Sequence, residues 1–222
     1  MNILITGANR GLGLGFSQHY LQQGHHVWAC YRDRADVFDA EASRLHPIQW
    51  DILGATPKSE DLPSHIDILI NNAGIYGPSK ADQHLSDVSS QTMLQTFEVN
   101  CVGPLNVTQH LHRLNLLSDG SIIANISSKM GSSEDNSSGG TYAYRASKAA
   151  LVIVSKSMAV DLADAQIHVI TLHPGWVKTD MTHHTGLIDV NTSVQGMSKV
   201  ISQARNYAAG SFIAFDGQTV PF

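Results

Sequence analysis

The sequence predicts an α/β protein, a mostly parallel sheet of seven strands with helices on both faces. Three observations predict it. Short apolar, β-rich runs alternate with longer helical patterns along the chain. A glycine-rich turn separates the first strand from the first helix. The 222 residues, 42% hydrophobic and 15% charged, suit a single buried core. Residues 1–222 are therefore expected to form one domain.

The first strand is expected at Asn2–Thr6, and the helix after its turn runs to Gly24, a residue type that ends helices. Residues 26–30 read as the second strand, 47–50 as a short third and 66–70 as the fourth. Residues 121–126, 167–172 and 211–215 complete the sheet. Helical patterns fall near 87–117, 143–163 and 193–206. Residues 51–65 are too few and too polar for a full helix, so a turn is expected there, which opens one face of the sheet. Residues 132–141, rich in Ser and Gly, read as a flexible loop. Parallel sheets bind ligands beyond the carboxyl ends of their strands. The motifs below all fall just after such an end or on the helix that follows.

Composition excludes several functions. A net charge of −5 and a pI near 6.1 argue against a nucleic-acid protein, which would carry a basic face. Cys30 and Cys101 lie outside any CxxC motif and read as small core side chains. No apolar run approaches the ~18 residues that span a membrane. The chain starts at once with a strand pattern instead of a targeting segment, so a cytoplasmic location without membrane contact is expected.

The turn itself reads Thr6-Gly7-Ala8-Asn9-Arg10-Gly11-Leu12-Gly13. Glycines let the backbone approach a pyrophosphate, and the helix N-terminus offers N–H groups and a positive dipole end. Its spacing is GxxxGxG, which differs from the GxGxxG of the common dinucleotide fingerprint. Asn71-Asn72-Ala73-Gly74 follows the fourth strand, and Asn100 falls within the long helical stretch after it. Asn125-Ile126-Ser127-Ser128 closes the fifth strand. Tyr144-Arg145-Ala146-Ser147-Lys148 opens a helix. Pro174-Gly175-Trp176-Val177-Lys178-Thr179 follows the sixth strand.

These six motifs, in this order, resemble the short-chain dehydrogenase/reductase family over essentially the whole chain. Tyr142-Ala143-Tyr144-Arg145, Phe215-Asp216-Gly217 and the closing Pro221-Phe222 are similar to its carbonyl-reductase and C-factor-like group. The resemblance implies a Rossmann-type doubly wound fold and a nicotinamide cofactor. It also implies interconversion of a small carbonyl compound (aldehyde, ketone or quinone) with an alcohol. A second reading stays open: a nucleotide-binding signalling protein of C-factor type with little turnover. A sugar-nucleotide epimerase is disfavoured by the glycine spacing and the small C-terminal region.

Carbonyl reduction needs a proton donor on the developing alkoxide. A phenol, with a pKa of about 10, gives up its proton too reluctantly unless a cation stands nearby. Tyr144 and Lys148 are four apart on a helix and so share one face. By resemblance, Tyr144 is the general acid/base. Lys148 lowers its pKa and holds the nicotinamide ribose. Ser128 binds the carbonyl oxygen, and Asn100 anchors a water of the proton relay. Ser127 is adjacent, but Ser128 matches the second serine of the family's Ser-Ser-x-x-Gly through Gly131. Ser128 and Tyr144 stand a few positions further apart than is usual in the family, which puts the serine's geometry in doubt.

The cofactor is expected to lie on Gly7, Asn9, Arg10, Gly11, Leu12 and Gly13, with Asn72, Ala73 and Gly74 beside them. Pro174, Gly175, Val177 and Thr179 bind it from the sixth-strand side. NAD-preferring enzymes place an acid at the end of the second strand. Here that position is Tyr31, followed by Arg32, whose planar fork suits a 2′-phosphate. Arg10 can approach the same phosphate, while Asp51 and Ile52 would meet the adenine. NADP (NADPH) is therefore expected over NAD. Asp33 can partly neutralise Arg32. Residues 181–191 read as a short, solvated, mobile lid, and their His183 and His184 lack the further ligands a metal site needs. The helix at 143–163 carries more apolar residues than one buried stripe requires, so a homodimer or homotetramer is expected through it and the 87–117 helix.

Overall fold

A computed structural model describes residues 1–34, 37–38, 43–77 and 83–222. Among these residues, seven strands form one sheet: β1 (Asn2–Thr6), β2 (His26–Tyr31), β3 (Leu45–Gln49), β4 (Ile68–Asn71), β5 (Ile122–Ile126), β6 (His168–His173) and β7 (Phe212–Ala214). Their order is β3-β2-β1-β4-β5-β6-β7, and each neighbouring pair is parallel. The sequence reading allowed for an antiparallel member, and the described strands contain none. Pro47 lies inside β3, which is tolerated because β3 is an edge.

Side chains alternate across each strand, and the two faces are covered by different helices. Ile3, Ile5, Val27 and Ile70 pack against Phe16 and Tyr20 of α1 (Gly11–Gln22) and Val194 and Met197 of α5 (Val190–Ser202). Leu4, Leu69, Ile123 and Val169 on the other face meet Val107 and Leu111 of α3 (Gly103–Arg113) and Met158 of α4 (Tyr142–Asp161). Each fully buried side chain of this size stabilises the fold by about 1.5–3 kcal/mol. Gly24, at φ +81°, ends α1 as expected. Residues 51–65 hold only a short 3₁₀ turn, Ser59–Asp61. On that thinly covered side His46 stacks on Trp28 at 4.3 Å.

The 87–117 stretch is not one uniform helix. α2 (Ser90–Phe97) passes into a π-helical segment, Glu98–Val102, before α3 begins. Pro104 has no N–H to offer the Asn100 carbonyl, and its ring crowds that carbonyl, so a regular turn cannot form there. The widened turn turns Asn100 inward, fully buried.

Candidate active site

A cleft of about 570 Å³ opens at the carboxyl ends of the strands. It lies where the strand order reverses between β1 and β4, the place such sheets reserve for ligands. Its floor is a clamp between two motifs. The backbone N–H groups of Asn72 and Ala73 both donate to the Thr6 hydroxyl at 3.0 Å. The Asn72 amide donates to the carbonyls of Thr6 at 2.9 Å and Gly7 at 3.1 Å. Gly13 is dictated by this packing, because a Cβ there would collide with the Gly7 carbonyl and the Asn72 amide.

Gly7, Asn9, Arg10, Gly11 and Leu12 line the cleft from the turn, and Arg32, Asp51 and Ile52 from the ends of β2 and β3. Asn72, Ala73 and Gly74 form its middle, with Tyr144, Lys148, Pro174 and Thr179 beyond. Four expected cofactor residues do not line it. Gly13 lies beneath the turn. The Tyr31 ring turns to Phe38 at 5.7 Å. Gly175 packs against Ile188 and Phe215. Val177 is buried and bridged to Ile188. These four shape the cleft from behind. Arg34 also lines it, which the sequence reading missed although it stands three residues past β2. Asn9 fastens that segment to the turn by donating to the Arg34 carbonyl at 3.1 Å. Arg32 donates to Asp33 at 2.6 Å, with both side chains largely exposed.

Of the catalytic candidates, Tyr144 and Lys148 line one end of this cleft, and Ser128 and Asn100 stand behind its lining. Lys148 is buried and its ammonium donates to the Ile126 carbonyl at 2.8 Å. It stands 5.8 Å from the centre of the Tyr144 ring. Ser127 donates to the Lys148 carbonyl at 2.8 Å, so its hydroxyl braces α4. The Ser128 hydroxyl instead accepts from the Met130 N–H at 3.2 Å and lies near enough to the Tyr144 phenol to favour its ionised form. The longer loop between Ser128 and Tyr144 has not separated them. Gly131 allows the serine turn to press on α4, where a Cβ would meet the Ala149 N at 2.6 Å. Arg145 then holds the loop by donating to Met130 O at 3.1 Å and Ser138 Oγ at 2.8 Å.

Asn100 is expected to anchor a water, and its side chain and its backbone carbonyl take different parts. Its Nδ2 donates to Ile75 O at 2.8 Å and Ser147 Oγ at 3.0 Å, and its Oδ1 accepts from the Ile75 N–H at 2.8 Å. Both amide protons are used, so the side chain is a brace between the β4 loop and α4, and not the anchor of a water. The backbone carbonyl, deprived of a donor by Pro104, is the remaining candidate for that part. Ser147, a link the sequence reading missed, passes the brace on to the Tyr144 carbonyl at 2.8 Å.

Burial pushes the Tyr144 phenol up to about 12, with Tyr76 adding to the rise and Ser128 opposing it. Lys148 stands beside the same ring, 5.8 Å from its centre. Its ammonium is turned to Ile126 and is itself pushed down to about 8 by burial. The lid is also tighter than expected. Lys178 N–H donates to Ile188 O at 2.9 Å and Leu187 N–H to Trp176 O at 2.7 Å. His184 pairs with Asp180 at 3.1 Å, and among the described residues no group of three or more His, Cys, Asp or Glu is arranged for a metal.

The family model for short chain dehydrogenases matches residues 1–187. The chain belongs to that family. It is 41% identical to C-signal of Myxococcus xanthus over 159 residues, covering 71% of this chain and 93% of that protein. The carbonyl reductase Sniffer of D. melanogaster superposes with a TM-score of 0.86 at 32% identity, over 100% of this chain and 99% of the other. A putative short-chain dehydrogenase/reductase from Burkholderia multivorans, solved with bound NADP, gives a TM-score of 0.88 at 28% identity, again over 100% and 99%. This short-chain dehydrogenase thus shares fold and length with reductases of known structure. Among the described residues no helix is long and apolar enough to cross a membrane.

Proposed function

We propose that the protein reduces a small aldehyde, ketone or quinone to the alcohol at the expense of NADPH. The observation that carries this reading is the meeting of Tyr144 and Lys148 at the end of a cleft floored by the glycine turn, with Ser128 near enough to the phenol to favour its ionised form. The cleft suits a dinucleotide: backbone N–H groups at the start of α1 suit a pyrophosphate. Arg10, Arg32 and Arg34 line the cleft and would meet an added phosphate. The NADP-bound relative of the same length supports the choice over NAD. Bound NADPH would supply the hydride that reaches the carbonyl carbon.

The chain's own residues manage the oxygen and the proton. Ser128 and Tyr144 donate to the carbonyl oxygen. As negative charge develops there, the phenol releases its proton to it, and the product is the neutral alcohol. A phenol at about 12 is fully protonated at neutral pH, which suits the reductive direction. Lys148, at about 8, can return a proton toward the tyrosine from a water held at the Asn100 carbonyl. Reduction is therefore expected to weaken as pH rises through about 8. The same lysine would hold the cofactor's ribose.

The reading includes a homodimer or homotetramer in the cytoplasm. Leu94 and Phe97 on α2 and Ile153 and Val160 on α4 are exposed apolar residues on the helices expected to pair. A second reading, a signalling protein that keeps the nucleotide site, is favoured only by the likeness to C-signal. NADPH and NADH oxidation against a panel of aldehydes, ketones and quinones separates the two. Turnover with NADPH supports the reductase; NADPH binding without turnover on any member supports the signalling protein.

A further inference from the structure

Gln83 belongs to none of the motifs, yet its side chain is fully buried and both ends of its amide are engaged. Oε1 accepts from the backbone N–H of Tyr144 at 3.0 Å. Nε2 donates to the Tyr76 carbonyl at 2.7 Å. Tyr144 is in the first turn of α4, where the N–H groups have no acceptor inside the helix. A side-chain oxygen of the N-cap residue ordinarily meets one of them. Here the N-cap, Thr141, is left-handed at φ 54° and makes no side-chain cap bond. Its hydroxyl lies 3.2 Å from the Tyr76 hydroxyl instead. Gln83, 61 residues earlier in the chain, supplies the missing oxygen.

The same amide also sets the wall beside the tyrosine. The Tyr76 ring lies 4.9 Å from the Tyr144 ring at an angle of 31°. Gly77 leaves room for this, since its φ is +115° and a Cβ would come within 2.8 Å of Gln83 Nε2. One neutral amide thus holds the backbone of both rings.

We infer that Gln83 is a positioning residue for the proton donor, capping α4 from the β4 loop and fixing the Tyr76–Tyr144 pair against an incoming carbonyl. The inference rests on the reading of Tyr144 as that donor. It needs an amide specifically. A carboxylate would keep the acceptor but turn a second acceptor toward the Tyr76 carbonyl, whereas an apolar chain would fill the space and leave both backbone groups unmet.

Two variants test it. Gln83→Leu is expected to lower kcat by roughly 10- to 100-fold with KM for NADPH within about twofold of wild type. Gln83→Glu is expected to lose activity at alkaline pH and regain it relative to wild type as pH falls, because the protonated carboxyl again donates to Tyr76. Burial raises such a carboxyl into the working range. Ionisation of the Tyr144 phenol, read by ultraviolet difference against Tyr144→Phe, should shift in both variants and requires no turnover. Full kcat in Gln83→Leu, a flat activity ratio across pH for Gln83→Glu, or an unmoved phenol titration would each overturn the inference. If Gln83→Leu fails to fold, the Gln83→Glu ratio and titration decide. A wild type inactive on every carbonyl sinks the reductase reading instead, and the titration still tests Gln83.

Discussion

The nucleotide half of the cleft and its catalytic half are held by different means. The first, the half proposed for the nucleotide, is lined by backbone of the glycine turn and by arginines at the surface; Arg32 is 67% exposed. In the second, Asn100 and Ser147 are fully buried and Lys148 is 5% exposed, and each is tied to another member. A surface arginine can be exchanged with little effect on folding. A member of a closed buried network cannot, because its partners lose their hydrogen bonds and have no water to replace them. Changes in the nucleotide half should therefore alter affinity alone, and changes in the catalytic half should alter both stability and turnover, in the same or in opposite directions.

Apart from the tyrosine itself, the largest effect is expected at Lys148, and there the two properties should move in opposite directions. Its pKa drops from an ordinary 10.5 to about 8. The unfolded chain then holds the proton more tightly, so the lysine costs stability as pH falls from 10.5 through 8, and the whole cost is present at neutral pH. Lys148→Met should raise stability by roughly 1–3 kcal/mol in urea unfolding at neutral pH while reducing kcat about 100-fold or more. A less stable variant with unchanged turnover would break the comparison.

Asn100→Ala removes the partners of both Ile75 backbone groups and a donor to Ser147. A loss of about 2–4 kcal/mol is expected in the same unfolding measurement, with turnover falling in parallel. His173, beside the serine turn, should sharpen the contrast through pH. Its Nδ1 accepts from the Lys129 N–H at 3.2 Å, and burial holds its pKa at about 4, well under the usual 6.5. A depressed histidine supplies stability above 6.5 that is lost as pH falls through 4. His173→Gln should flatten acid unfolding by about 2–3 kcal/mol across that window. The smallest effect belongs to the nucleotide half. Arg32→Ala should cut the preference for NADPH over NADH about tenfold in binding titrations with the melting temperature unmoved.

The same contrast explains what could be read from the sequence. The glycine turn, Asn72 and the Tyr144–Lys148 spacing were legible because local geometry demands those residues at those intervals. The parallel sheet and both helical layers followed from the alternation of patterns. The π-helical segment at Glu98–Val102 was not foreseen, although Pro104 inside a helical pattern was its signal. The brace made by Asn100 and the reach of Gln83 depend on side chains meeting across 25 to 61 residues, which no periodicity encodes. The orientation of Lys148 toward Ile126 was equally hidden, because spacing on a helix fixes a shared face and leaves the ammonium free to choose its acceptor.

Tyr144→Phe tests the central claim most directly, with NADPH affinity and carbonyl turnover measured on one preparation. Only the phenolic hydroxyl is removed, and the ring keeps its place against Tyr76 at 4.9 Å. Turnover should fall at least about 1,000-fold while the Kd for NADPH stays within about twofold of wild type. A variant that retains most of its rate, or that loses affinity in step with turnover, would contradict Tyr144 as the proton donor of a separately built catalytic half.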